Sequence, residues 1–146
     1  MKLKQLSVFL ENKPGALSAP CRLLAKNNIN IQTFALADTR EFGILRLIVE
    51  DTDKARRLLQ RHGFAVKVTE VVALEVLDQP GGLATILDAL DGSGINVEYA
   101  YAFTAKSQGR CLLVFRFDDP DGALKILKAR KITTVGSDEL AKRLTP

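Results

Sequence analysis

Two short stretches hold the residues best suited to gripping a small molecule. They are Asn12-Lys13-Pro14-Gly15-Ala16-Leu17 and Asp78-Gln79-Pro80-Gly81-Gly82-Leu83, with Pro80 placed 66 residues after Pro14. Each follows an alternating apolar run and precedes a segment of helical spacing. Proline fixes φ and gives up its N–H, and the glycine after it lets the backbone turn with no Cβ in the way. At a helix start such a turn aims backbone N–H groups outward, where a carboxylate or other anion can settle. Lys13 makes the first loop cationic, while Asp78 makes the second anionic and Gln79 stands in place of Lys13. A carboxylate repels another carboxylate, so the first loop is the better expected seat for a ligand of that charge. Nucleophilic chemistry has no set of residues to use here. His62 is the single histidine, the acids are scattered, and neither a Ser-His-Asp, a Cys-His nor a paired-carboxylate constellation can be assembled. Metal-ligand spacing is absent as well, so neither an enzyme nor a cofactor site is expected.

Composition narrows the setting. The chain has 146 residues, 47% of them hydrophobic, enough for one medium domain or two small ones with real cores. No run approaches the ~20 apolar residues of a membrane span, and the N-terminus passes into a strand pattern without a signal-peptide cleavage region. Cys21 and Cys111 lie in apolar segments far apart in sequence and read as reduced thiols of a cytoplasmic protein. The net charge of +4 raises the question of nucleic acid. Its distribution answers against it: no Lys or Arg occurs between Val68 and Ala105, a stretch that carries Glu70, Glu75, Asp78, Asp88, Asp91 and Glu98. The basic residues gather around Lys54–Arg61 and near the C-terminus with the spacing of solvated helix faces.

The elements that must position the loops come in two copies. At an offset of 66, Leu6, Val8 and Leu10 fall on Val72, Leu74 and Val76, Leu24 falls on Leu90, and Ile29-Asn30-Ile31 falls on Ile95-Asn96-Val97. Past the middle of each copy the offset becomes 68, since Ala55 matches Ala123. Each copy reads as an alternating strand, then a helix with its stripe at Leu17, Pro20, Cys21 and Leu24 or Leu83, Ile86, Leu87 and Leu90. Pro20 predicts a kink or a late start in the first of these helices. Two strands joined by a polar hairpin follow, with turns at Asp38–Glu41 and at Lys106-Ser107-Gln108. A second helix capped by Asp51 or Asp53, or by Asp119, comes next, and then a closing strand. Ser137-Asp138-Glu139-Leu140 opens a short C-terminal helix.

The fold class is therefore α+β: two ferredoxin-like βαββαβ domains, residues 1–70 and 71–146, each an antiparallel sheet with helices on one face. Strand three of each copy is apolar on both faces (Ile44 to Val49, Leu112 to Phe117), so the far face needs cover from the other copy or another subunit. That need is the reason to expect a homodimer. Tyr99, Tyr101 and Phe103 alternate on the second copy's strand two, where the first has Thr33, Ala35 and Ala37. They serve either as packing or as an aromatic wall for a ligand side chain.

The two loops, with Asn28-Ile29-Asn30-Ile31 and Gly94-Ile95-Asn96-Val97 about fifteen residues after each Pro-Gly, resemble tandem ACT domains, the small amino-acid-sensing regulatory modules. The resemblance covers nearly the whole chain. It implies a non-catalytic protein that binds a free amino acid at an interface between ACT domains and signals to a partner, such as a regulated enzyme in trans. Transferred to this chain, the binding positions are Asn12, Lys13, Pro14, Gly15, Ala16, Leu17, Asn30 and Ile31, with Asp78, Gln79, Pro80, Gly81, Gly82, Leu83, Asn96 and Val97 in the second copy. The ligand's carboxylate would meet the loop N–H groups. Its ammonium would meet the Asn30 or Asn96 amide, on the expectation that both anchors lie at the same end of the sheet. The two asparagines can equally serve only to cap the turn into strand two. Three other readings share the topology. A structural dimerisation module would need no ligand. An RNA-recognition module would need aromatics interleaved with basic residues on its central strands, and strand three of the first copy has no aromatic residue. An acylphosphatase-type enzyme would need an arginine in the first loop, where Lys13 and Gln79 stand instead.

Overall fold

The computed structural model describes residues 1–144, without the side chains of residues 104–107. Its elements are β1 (Leu3–Glu11), α1 (Ser18–Lys26), β2 (Ile31–Asp38), β3 (Phe42–Val49), α2 (Thr52–Arg61) and β4 (Ala65–Leu77). They continue with α3 (Gly82–Leu90), β5 (Val97–Ser107), β6 (Arg110–Phe117), α4 (Pro120–Ala129), β7 (Thr134–Val135) and α5 (Ser137–Leu144). The chain divides into two compact units, Lys4–Thr69 and, with Met1–Leu3, the part from Glu70 onward. Each is a βαββαβ unit with an antiparallel sheet. The strand order is β2-β3-β1-β4 in the first and β5-β6-β4-β7 in the second. β4 is one 13-residue strand that passes through the division. Lys2 Nζ ties the N-terminus to the second unit by ion pairs with Glu70 at 2.5 Å and Asp121 at 3.0 Å, and the Glu70 hydrogen bond leads in raising the Lys2 pKa.

The alternation of the strands decides which residues reach the core. In the first unit Leu6, Val8 and Leu10 of β1 and Leu45, Leu47 and Val49 of β3 point the same way, onto Leu24 of α1 and Ala55, Leu58 and Leu59 of α2. The second unit repeats this with Val72, Leu74 and Val76 against Phe115 and Phe117, covered by Ile86, Leu90, Ala123 and Leu127. Burying such side chains contributes about 1.5–3 kcal/mol each, which far exceeds what any surface ion pair here can add. α2 and α4 start as their sequences predict: Asp51 accepts from the Lys54 N–H at 3.1 Å and Asp119 from the Gly122 N–H at 3.0 Å.

Three details depart from the sequence reading or refine it. α1 starts at Ser18, two residues later than α3 does in the aligned copy, which puts Pro20 in the first turn where its missing N–H costs nothing. The second hairpin turns at Gln108-Gly109, with φ +53° and +70°, rather than at Lys106-Ser107-Gln108. Two consecutive positive φ values match the twist of the flanking strands, so the second copy's extra residues lengthen β5 to 11 residues instead of enlarging the loop. On the far faces of the strands three Ile48, Leu112 and Val114 are buried, while Phe9, opposite Ile44 on β1, is 49% exposed. Phe34 (55%) and Leu36 (50%) are exposed on the edge strand β2.

Candidate functional site

The two Pro-Gly loops have the same backbone hydrogen bonds. In the first, the N–H groups of Asn12, Lys13, Ala16 and Ala19 donate to the carbonyls of Glu41, Glu11, Lys13 and Gly15. In the second, those of Asp78, Gln79, Gly82 and Thr85 donate to Gly109, Leu77, Gln79 and Gly81. Every bond within the loop recurs 66 residues on, and the one to the hairpin recurs at the offset of 68. Gly15 and Gly81 sit at φ +84° and +86°, a left-handed conformation that glycine takes without strain. Neither α1 nor α3 has a side-chain N-cap, so the loop itself finishes the helix start. Of the loop N–H groups expected to meet a carboxylate (Gly15, Ala16 and Leu17, or Gly81, Gly82 and Leu83), that of Ala16 or Gly82 is spent on the Lys13 or Gln79 carbonyl inside the turn.

Lys13 is engaged as well. Its Nζ lies 2.8 Å from Glu11, and that hydrogen bond holds the Glu11 carboxyl below its usual range. The cation expected to draw a carboxylate to the first loop thus already faces one. Asn12 donates its side-chain amide to the Thr39 carbonyl at 3.2 Å, which pins the loop to the β2–β3 turn.

The expectation that loop and asparagine share an end of the sheet is wrong. The helix after each loop carries the chain back across the sheet, so β2 runs parallel to β1 and starts at the opposite end. Glu11, just before the first loop, pairs with Phe42, whereas Ile31, just after Asn30, pairs with Val49. Seven residues of β3 separate these levels, roughly 23 Å at ~3.3 Å per residue. The second unit repeats the arrangement, with Leu77 opposite Arg110 and Val97 opposite Phe117. Asn30 and Asn96 are exposed at that far end, and the backbone of Asn96 exchanges hydrogen bonds with Asp118. Ile31 and Val97 pack their side chains on the two cores, and Leu17 and Leu83 are exposed. Pro14 and Pro80 are exposed too. Tyr99 and Tyr101 are half-buried on the sheet face away from α3 and α4, and Phe103 is buried.

What the second loop does meet is a cleft of about 220 Å³ in its own unit. Gln79 and Gly82 form one side and Thr85 of α3 adds a hydroxyl. Glu75 at the end of β4, Arg110 at the start of β6 and the segment 131–133 complete it. The cleft exists because β7 pairs with β4 only at Ala73 and Leu74, with one more bond from the Glu75 N–H to the Thr133 carbonyl. Beyond it the chain leaves the edge of β4. Glu75 is nearly buried and shared: Oε2 meets Arg110 Nη1 at 3.1 Å, and Oε1 meets Arg143 of α5. Arg143 also pairs with Glu139 at 2.9 Å, the first cause of its raised pKa. Sequence reasoning passed over Glu75, Arg110 and Lys131. The signal lay in the repeat, because the offset of 68 places Lys131, at φ +57°, on Gly63, at φ +85°.

Cys21 and Cys111 are free, half-buried thiols, and burial pushes the Cys21 thiol up. Among the described residues no group of His, Cys, Asp and Glu is arranged to hold a metal, and no helix is long and apolar enough to cross a membrane.

Known proteins place this architecture. Protein BT0572 from Bacteroides thetaiotaomicron superposes with a TM-score of 0.89 at 39% identity, covering 97% of each chain. The ligand-free regulatory subunit of aspartate kinase from Thermus thermophilus shares the fold at a TM-score of 0.60 and 17% identity, over 86% of this chain and 91% of that one. E. coli aspartokinase III, solved with lysine and aspartate, does so at 0.51 and 18%, over 88% of this chain and 31% of its own. No functionally curated protein matches the chain. The model of the ACT domain pair matches residues 1–144, the two copies of the loop and their sheets included, and the chain belongs to that family.

Proposed function

We propose that this ACT domain pair is a non-catalytic sensor of a free amino acid, acting in the cytoplasm on a partner protein or a neighbouring enzyme. The observation that carries the reading is the Pro-Gly loop built twice with the same hydrogen bonds, next to a helix start that lacks a side-chain cap. Such a loop is suited to a carboxylate, and the exposed Asn30 and Asn96 amides are suited to an ammonium. The fold's use in an aspartokinase solved with lysine and aspartate, and in the regulatory subunit of another aspartate kinase, supports a regulatory role. Within one unit loop and asparagine lie too far apart for one amino acid, so a ligand held by both takes them from two different ACT domains.

A thermal-shift and calorimetric screen of the twenty amino acids tests the reading. A ligand present at about 100 times its Kd should add ~2.7 kcal/mol to stability. Among variants, Asn30→Ala or Asn96→Ala should cost about 1–3 kcal/mol of binding where the charged hydrogen bond is lost. Gly15→Asn and Gly81→Asn are the matching loop variants. Asparagine enters the left-handed region more readily than most residues and no atom stands within 4 Å of the added Cβ, so the cost to the fold is backbone strain alone, read from the melting temperature of each variant, while the approach to the backbone is obstructed. No stabilisation by any amino acid would leave a dimerisation module as the reading. If all four variants bind as the parent does, the loops are only turns.

We further propose a homodimer, now on the exposed Phe34 and Leu36 of the edge strand β2. Unpaired strand edges with apolar side chains are what a second chain covers, and burial of about 1,600 Å² would be a normal specific interface. Light scattering should give twice the chain mass, falling toward the monomer for Phe34→Lys. A monomer mass at every concentration rejects the dimer.

A further inference from the structure

We propose that the cleft beside the second Pro-Gly loop receives the α-carboxylate of the amino-acid ligand, with Lys131 and Arg110 as the receiving cations. The inference rests on the amino-acid reading above and specifies which loop is loaded and by which groups. It reverses the preference that the charges of the two loops give in the sequence.

The cations beside the two loops differ in what they already face. Lys13 faces Glu11, so a carboxylate arriving at the first loop must displace one already there. Lys131, by contrast, makes no ion pair among the described residues. Its position is also unusual. In the first copy the equivalent residue is Gly63, the natural occupant of a left-handed helix end. In the second copy a lysine takes that conformation, which residues other than Gly, Asn and Asp adopt at a cost, and its side chain is exposed rather than packed. Packing therefore gives no reason for the lysine. A charge needed at the mouth of the cleft does.

Arg110 supplies the second cation. A guanidinium carries five N–H donors, and Glu75 Oε2 meets one nitrogen of the group, holding it in place and leaving donors for a ligand. Glu75 adds little net repulsion, since its other oxygen is taken by Arg143. Asp78, the acid that made the second loop look hostile, does not line the cleft. Gln79 and the Thr85 hydroxyl add polar contacts, and the Thr85 Oγ1 donates its own proton to the Gly81 carbonyl at 2.9 Å, which leaves its lone pairs for an ammonium or water. The volume of about 220 Å³ is below the ~300–1,000 Å³ of pockets for drug-sized ligands and suits a single amino acid.

The test is calorimetric titration of the full chain with each of the twenty amino acids. The amino acid that binds is then titrated into Lys131→Gly, Arg110→Gln and the control Lys125→Gln, whose lysine lies on α4 away from the cleft. Loss of a charged hydrogen bond to the carboxylate should weaken binding at least about tenfold in the first two and leave the control unchanged. Lys131→Gly should melt no lower than the parent, because glycine suits φ +57°, so its loss of affinity cannot be blamed on unfolding. Unchanged affinity in both cleft variants, with Asn30→Ala or Gly15→Asn still weakened, overturns the cleft and leaves the amino-acid reading standing. An absence of binding by all twenty amino acids to the parent overturns both.

Discussion

Phe117→Ala should lower the free energy of unfolding by about 3–5 kcal/mol, the usual cost of deleting a ring from a core that cannot collapse around the gap. Phe117 is fully buried at the end of β6, in the cluster that joins β4, α3 and α4. Its ring stacks on Phe115, two residues earlier on the same face, with centroids 5.5 Å apart and planes 4° from parallel. Truncation therefore removes transfer free energy, the stacking contact and support for Leu127 and Ala123 at once. Against a typical total of about 5–15 kcal/mol, that is a large share of what holds a small domain folded. Phe9→Ala is the matched control. It deletes the same ring at a site that is 49% exposed, and surface substitutions stay near ±0.5 kcal/mol. Urea denaturation of both variants separates the two roles. Equal midpoints would mean that Phe117 is not a core residue.

The repeat is what made the fold legible. Loop punctuation at Pro14-Gly15 and Pro80-Gly81, and the alternation Leu6-Val8-Leu10 against Val72-Leu74-Val76, are local signals, and the local structure follows them. Pro20 was readable for the same reason, since a missing N–H acts within one helical turn. The errors lie where a long-range relation decides. Whether loop and Asn30 share an end of the sheet depends on the direction of β2, which the crossover through α1 sets. Lys131 fell between the two cases. Its left-handed conformation is local, but it is visible in sequence only by carrying the offset of 68 from Ala55–Ala123 on to Gly63.

Gly82→Ala should destabilise the second unit by about 1–3 kcal/mol, the range for forcing a methyl group into a filled space. An ideal Cβ on Gly82 would lie 2.1 Å from the Leu77 carbonyl oxygen and 3.2 Å from Val76 Cγ1. The oxygen is backbone, so no rotamer can move it away. It also accepts the Gln79 N–H at 2.9 Å, so retreating from the methyl group strains the turn that leads into Pro80. Opposing this is the helix propensity of alanine, worth up to about 1 kcal/mol over glycine inside a helix and less at the first position of α3. The clash wins because the propensity gain does not open any room. The first copy provides the reverse experiment. There the aligned residue is Ala16, half-buried against the first core, so Ala16→Gly should cost only the ~0.5–1 kcal/mol of added chain freedom. Thermal or urea unfolding of both variants, without added ligand, should rank Gly82→Ala below Ala16→Gly. Should Gly82→Ala prove as stable as the parent, the close approach of α3 to the end of β4 is wrong. The cleft that this approach shapes would then be wrong with it.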